Sequence, residues 1–154
     1  MQVQFIDDQE FIKYKFKTKP YKHQYDAFLK CKDRESYALF MEQGTGKSKV
    51  IIDNIAYLYR EGKIDTAVIA APKGVYRNWL SSEFNTHMPD DVKGFTEMLV
   101  WSPAETKSNV EALTNFLKPN HNLKFFIINI EALSTSKGKN YLHRLLNTGS
   151  SFFC

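Results

Sequence analysis

The chain has 154 residues, 43% of them hydrophobic, enough for one sizeable core and too few for two full α/β domains. Its 21 Lys and Arg against 17 Asp and Glu leave a charge of +4, which permits nucleic-acid contact without requiring it. No apolar run approaches the length of a membrane span, and the opening MQVQFIDDQE has neither the basic nor the apolar region of a signal peptide, so a soluble cytoplasmic protein is expected.

In chain order, residues 2–6 and 11–17 read as two strands paired across Asp7-Asp8, the second with an apolar/basic alternation from Ile12 onward. They form an expected N-terminal strand appendage, residues 1–19, on a main domain of residues 20–154. The lysines Lys13, Lys15, Lys17, Lys19 and Lys22 are either the solvated face of an edge strand or a track for DNA. Pro20 ends the appendage, and 23–32 reads as a helix with Ala27, Phe28 and Cys31 on one face. Cys31 and Cys154 lack metal-ligand spacing and are expected as free thiols.

The stretch from Tyr37 to Tyr59, YALFMEQGTGKSKVIIDNIAYLY, carries the chemistry. Ala38, Leu39, Phe40 and Met41 make an apolar run of buried-strand type, a glycine-rich turn follows, and Val50, Ile51, Ile55, Leu58 and Tyr59 recur at helical spacing. Strand, phosphate loop and helix is the order this implies. Gly44 and Gly46 leave the turn without side chains, so backbone N–H groups can point at phosphate oxygens beside the positive end of the helix. Lys47 would reach the β- and γ-phosphates of ATP, and Ser48 would place its hydroxyl on the accompanying Mg²⁺. Gln43 and Thr45 complete the loop. Met41 stands where the longer form of the motif has a glycine.

Gly62 is expected as a left-handed cap of the long helix, and 66–71, TAVIAA, as a buried strand stopped by Pro72. Val75, Trp79, Leu80 and Phe84 then recur at helical spacing, with Trp79 assigned to packing. Residues 85–94 are expected as a loop, 96–101 as a strand, 107–117 as a helix, 123–130 as a strand and 141–146 as a helix. A further apolar run begins at SFFC. Apolar strands separated by helices imply an α/β fold with a mainly parallel sheet covered on both faces, its ligand site along the edge where the strands end.

Three blocks resemble the first RecA-like lobe of superfamily two helicases, with most likeness to the Swi/Snf-type DNA translocases. They are Pro20-Tyr21-Lys22-His23-Gln24, then MEQGTGKS, then VIAAPKGVYRNWLSSEF; FFIINIEALS is a weaker fourth. The resemblance spans 20–134 and implies a P-loop three-layer lobe in which Gln24 reads the adenine edge. Tyr21 either stacks on the base or merely packs. It further implies that Lys73, Gly74 and residues near Ser134, helped by Arg77 and Asn78, touch the phosphates of one DNA strand without regard to sequence.

Motors of this kind also need a carboxylate pair on another strand and arginines from a second lobe. No Asp-Glu pair follows a strand here, and Glu131 is the nearest candidate for a catalytic carboxylate. The chain therefore reads as a truncated first lobe of an ATP-dependent DNA translocase or helicase, binding Mg²⁺ and ATP without useful turnover and expecting a second lobe in the parent protein. The other reading is a free-standing binding module, a decoy of a helicase lobe that engages DNA or a partner protein.

Overall fold

The computed structural model describes residues 3–154. Four strands, β1 (Thr66–Ala71), β2 (Thr96–Val100), β3 (Leu123–Asn129) and β4 (Ser151–Phe153), form an all-parallel sheet in the order β2-β3-β1-β4. Period-two alternation sends the side chains of the two central strands to opposite faces. Ala67, Ile69, Phe125 and Ile127 meet the first long helix, Lys47–Arg60, together with Trp79, Phe84 and Met88. Val68, Phe126 and Ile128 meet Phe116, Tyr141, Leu142 and Leu145 of the helices Lys107–Phe116 and Ser136–Leu146. This is the three-layer α/β architecture expected from the apolar strand runs.

The N-terminal segment differs from expectation. Gln2 lies outside the described residues, and of the first expected strand only Phe5 pairs, in a single antiparallel bridge to Tyr21. The second expected strand is a helix, Asp8–Tyr14. Asp7 decides this, because its carboxylate accepts the Glu10 N–H at 2.8 Å and so caps a first turn that already holds Asp8 and Glu10. Phe11 and Tyr14, one turn apart, then face the cluster of Ile6, Phe16, Tyr25, Phe28 and Val50, while Ile12 of the apparent alternation is left exposed. Lys15 closes the helix in the left-handed region at φ 54°. With no lysine face formed, Lys17 pairs with Asp90 at 3.2 Å and Lys19 with Asp8 at 2.6 Å.

Two other elements are redrawn. The helix after β1 runs without interruption through Tyr76–Asn78, a π-helical stretch Trp79–Glu83 and Phe84–His87, and Asp90–Lys93 forms a further short helix inside the expected loop. The run Ala38–Met41, expected as the strand leading into the phosphate loop, belongs to no sheet. A strand needs a neighbour to satisfy its backbone, and a cleft of about 720 Å³ separates this segment from β4. Phe40 is accordingly 97% exposed.

A buried ion pair ties the N-terminal segment to the long helix. The Lys49 ammonium donates to Asp53 at 2.8 Å and to the Thr18 carbonyl at 2.9 Å, and it lies over the Phe16 ring. Burial pushes the Asp53 carboxyl up to about 6 against the pull of Lys49, and its Oδ1 has no hydrogen-bond partner. Removing only the cation strands a buried carboxylate, whereas removing both charges need not destabilise. Lys49→Met should therefore cost about 3–5 kcal/mol. The double variant Lys49→Met/Asp53→Leu should recover most of it in urea denaturation.

Candidate functional site

The phosphate loop is shaped by two glycines in the left-handed region, Gly44 at φ 78° and Gly46 at φ 85°. Thr45 between them turns back on Glu42, its hydroxyl donating to the Glu42 carbonyl at 2.5 Å. Gly46 is the N-cap of Lys47–Arg60 and no side chain caps that helix, so the N–H groups of the first turn have no intrahelical acceptor. Lys47 and Ser48, both half-buried, stand at that turn, and the Lys47 ammonium donates to the Met41 carbonyl at 2.9 Å. Gln43 and Gly44 are exposed, and nothing lies within 4 Å of where a Gly44 side chain would begin. Open space over uncapped N–H groups, one lysine and one hydroxyl is a donor set that fits an oligophosphate with its magnesium ion.

The loop is held from the side of the helix Lys22–Cys31. Gln24, buried, accepts the Tyr21 N–H on Oε1 at 3.0 Å and donates through Nε2 to the Thr45 carbonyl at 3.2 Å. An amide has two donors and two acceptor sites, so one of each remains on Gln24. His23 reaches the same carbonyl with Nε2 at 3.0 Å. Above them Tyr21 stacks on His23 at 5.9 Å between ring centroids and packs on Phe5 at 4.7 Å. The sequence assigns no role to His23 or Phe5. The histidine becomes a loop clamp only once the helix sets it against Thr45, and Phe5 arrives through the backbone bridge to Tyr21.

A second group of expected residues gathers where β1 and β3 end. Pro72 accepts the Val75 N–H at 2.8 Å, turning the chain so that Lys73 and Gly74 are exposed before the next helix. Gly74 has neither a left-handed φ nor a close neighbour, so nothing within the fold demands glycine there. Arg77 is exposed and Asn78 donates to Glu83 at 3.2 Å. Ser134, also exposed, ends the 3₁₀ turn Ile130–Ser134 after β3. Lys73 and Glu131 line one hollow with Tyr76, Trp101 and Thr135.

Glu131 does not stand at the phosphate loop. It follows β3, and both β1 and β4 lie between that strand and the cleft that Lys47 lines. Its own backbone N–H and the Asn129 amide, at 3.1 Å, hold its carboxyl below the usual carboxylate range, with smaller pulls from Lys73. That position sets it apart from the phosphate loop and makes it the acidic neighbour of Lys73.

Residues 2–153 match the family described as type III restriction enzyme, res subunit. The chain belongs to that family. Membership makes it a helicase-like lobe of the RecA-type P-loop fold, in agreement with the parallel sheet and the loop geometry. The match stands at the level of the superfamily two ATPase-like domain and does not single out the Swi/Snf branch. No curated protein matches the chain. Among the described residues no helix is long and apolar enough to cross a membrane.

Gly46 and Gln24 give this site its sharpest steric test. A Cβ on Gly46 would lie 2.2 Å from Gln24 Nε2 and would also sit at an unfavourable φ, whereas Gly44 carries only the φ penalty. That penalty is about 1–2 kcal/mol. Gly46→Ala should thus lower the melting temperature more than Gly44→Ala, and pairing it with Gln24→Ala should return most of the difference.

Proposed function

We propose that this lobe binds Mg·ATP at the loop Gln43–Ser48 and contacts the backbone of one nucleic-acid strand through Lys73, Gly74, Arg77, Asn78 and Ser134. The observation that carries the reading is the uncapped start of the long helix, where Gly44 and Gly46 bend the chain around open space and Lys47 stands at its edge. The lysine's present partner is a neutral carbonyl, which leaves its charge uncompensated by any carboxylate. A polyphosphate would offer that ammonium a far stronger partner.

In this reading the Ser48 hydroxyl would meet the magnesium ion that accompanies the nucleotide, and that ion would offset phosphate charge. Gln24 uses its remaining donor and acceptor on the adenine edge while its other two bonds keep Thr45 in place. Tyr21 offers its ring to the base, backed by Phe5. The strand-tracking group lies on the same edge of the sheet, so a single lobe offers one part of a nucleic-acid path and a second RecA-like lobe in the parent protein would offer the rest. Contacts through lysine, arginine and main-chain N–H groups read phosphate spacing and carry no base sequence.

Lys47→Ala should abolish most Mg·ATP affinity in calorimetry, and equal affinity of variant and wild type would overturn the loop assignment. Gln24→Ala should bring ATP and GTP affinities together, at some cost in loop order.

Nucleic-acid binding should be modest and fall steeply between low and physiological salt. Lys73→Glu should weaken it for all sequences alike, and Glu131→Gln, which removes the carboxylate beside Lys73, should strengthen it. A Glu131→Gln variant unchanged in DNA affinity by fluorescence anisotropy would remove the glutamate from this surface.

A further inference from the structure

The stretch Thr45–Lys49, where the loop passes into the long helix, is bonded to the N-terminal segment at two points. One is the Thr45 carbonyl, which His23 and Gln24 reach at 3.0 and 3.2 Å. The other is the Thr18 carbonyl, which accepts from the Lys49 ammonium at 2.9 Å. Tyr21, whose ring is proposed above to meet the base, lies between these anchors in the chain. Residues 16–20 form no helix and no strand, so no regular ladder sets the course of the backbone into Tyr21. Pro20 takes one further bond, from the Ile6 N–H at 3.3 Å, but Ile6 belongs to the same N-terminal segment.

Thr18 is held from a second side. Its hydroxyl lies 2.8 Å from Nδ1 of His87, at the end of the helix that follows β1. Burial, helped by the Lys49 charge, pulls His87 down to about 4, so the ring makes this bond as a neutral imidazole. Lys49 is itself aimed. Asp53, one turn further along the helix, fixes the ammonium at 2.8 Å, and the Phe16 ring covers it at 5.3 Å from the ring centroid. The two side chains are no more than 4% exposed, which leaves the ammonium no solvent to turn towards.

Stability does not account for this arrangement. Phe16, Tyr25, Phe28 and Val50 already pack the segment onto the long helix, and a buried ion pair adds little over an apolar pair of the same volume. Here one carboxylate oxygen, Asp53 Oδ1, even remains unpaired. What the pair supplies is direction. Apolar burial holds surfaces together without fixing their orientation, whereas a donor on one chosen carbonyl sets where residue 18 lies relative to the loop. A platform for a flat base needs that placement. The phosphate donors do not, because Lys47, Ser48 and the N–H groups of the first turn all belong to the long helix itself.

We infer that Lys49 and Asp53 are positioning residues for base selection, setting Tyr21 and Gln24 against the loop through Thr18 and leaving the grip on the phosphates to the loop alone. The inference rests on the nucleotide reading proposed above. Without the Lys49 bond the segment stays packed on its aromatic cluster, and His23 and Gln24 still reach Thr45. Tyr21, with Phe5 behind it, then tilts about that single remaining anchor, and the base loses its fixed seat while the phosphates keep theirs.

Calorimetry of the whole chain with Mg·ATP, Mg·GTP and Mg·tripolyphosphate separates the two grips. In Lys49→Met/Asp53→Leu the ratio of ATP to GTP affinity should fall about fivefold, the worth of one hydrogen bond to the base, with tripolyphosphate affinity kept within about twofold. Thr18→Val removes the hydroxyl that faces His87 and keeps both charges, so it should lower the same ratio about twofold, and it decides the matter if the double variant does not fold. An unchanged ratio in a folded variant overturns the inference. So does a loss of tripolyphosphate affinity equal to the loss for ATP, which is what a purely structural pair would give. A wild type that binds no tripolyphosphate rejects the nucleotide reading itself and this inference with it. One that binds tripolyphosphate but does not separate ATP from GTP leaves the phosphate site standing and overturns only the selection of the base.

Discussion

The Thr45 carbonyl is the point on which the candidate site depends. A phosphate loop in a parallel α/β lobe is ordinarily the continuation of a strand, which aims it, but here the preceding residues 37–41 belong to no sheet. What holds the turn instead is a pair of side chains from the neighbouring helix, Gln24 and His23, converging on one acceptor. The Gln24 bond is possible because Gly46 has no side chain where Gln24 passes. A single missing methyl group thus leaves room for the Gln24 amide against the loop.

Around that contact the molecule divides into parts with different sources of order. The central strands β1 and β3 are paired along their length, are covered on both faces, and draw their stability from apolar burial, with Thr66 and Lys124 the buried polar pair at their start. The N-terminal segment adds polar ties to its aromatic cluster, through the Lys49 ammonium on the Thr18 carbonyl and Lys17 on Asp90, while Lys19 pairs with Asp8 inside the segment. Lys17 and Lys19, part of the basic run in the sequence, are thus engaged in internal pairing. Lys73 and Arg77, on an exposed turn and helix start, carry the charge of the proposed nucleic-acid surface.

Glu131 shows how topology reassigns chemistry. Its place after an apolar strand resembles the acidic end of a catalytic strand, and spacing alone does not say which strand will be its neighbour. The order β2-β3-β1-β4 puts two strands between it and the phosphate-loop side, and the turn after β1 brings Lys73 beside it. A residue that looks hydrolytic in one dimension stands, in three, in the hollow that Lys73 also lines.

The sequence by itself determined the layered α/β fold, the parallel sheet, the position of the phosphate loop and the start of its helix. Each of these follows from local rules: unbroken apolar runs for buried strands, helical spacing between them, and glycines where the backbone turns left-handed. Only the tertiary structure decided the rest. Phe11 to Tyr14 is helical because Asp7 caps it and an aromatic cluster takes its inner face, a preference that an apolar/basic alternation cannot reveal. His23 and Phe5 enter the site through contacts made across the chain. The strand that the run Ala38–Met41 calls for stays unformed because a strand is a property of two neighbours, and the cleft beside β4 lies where the second would be.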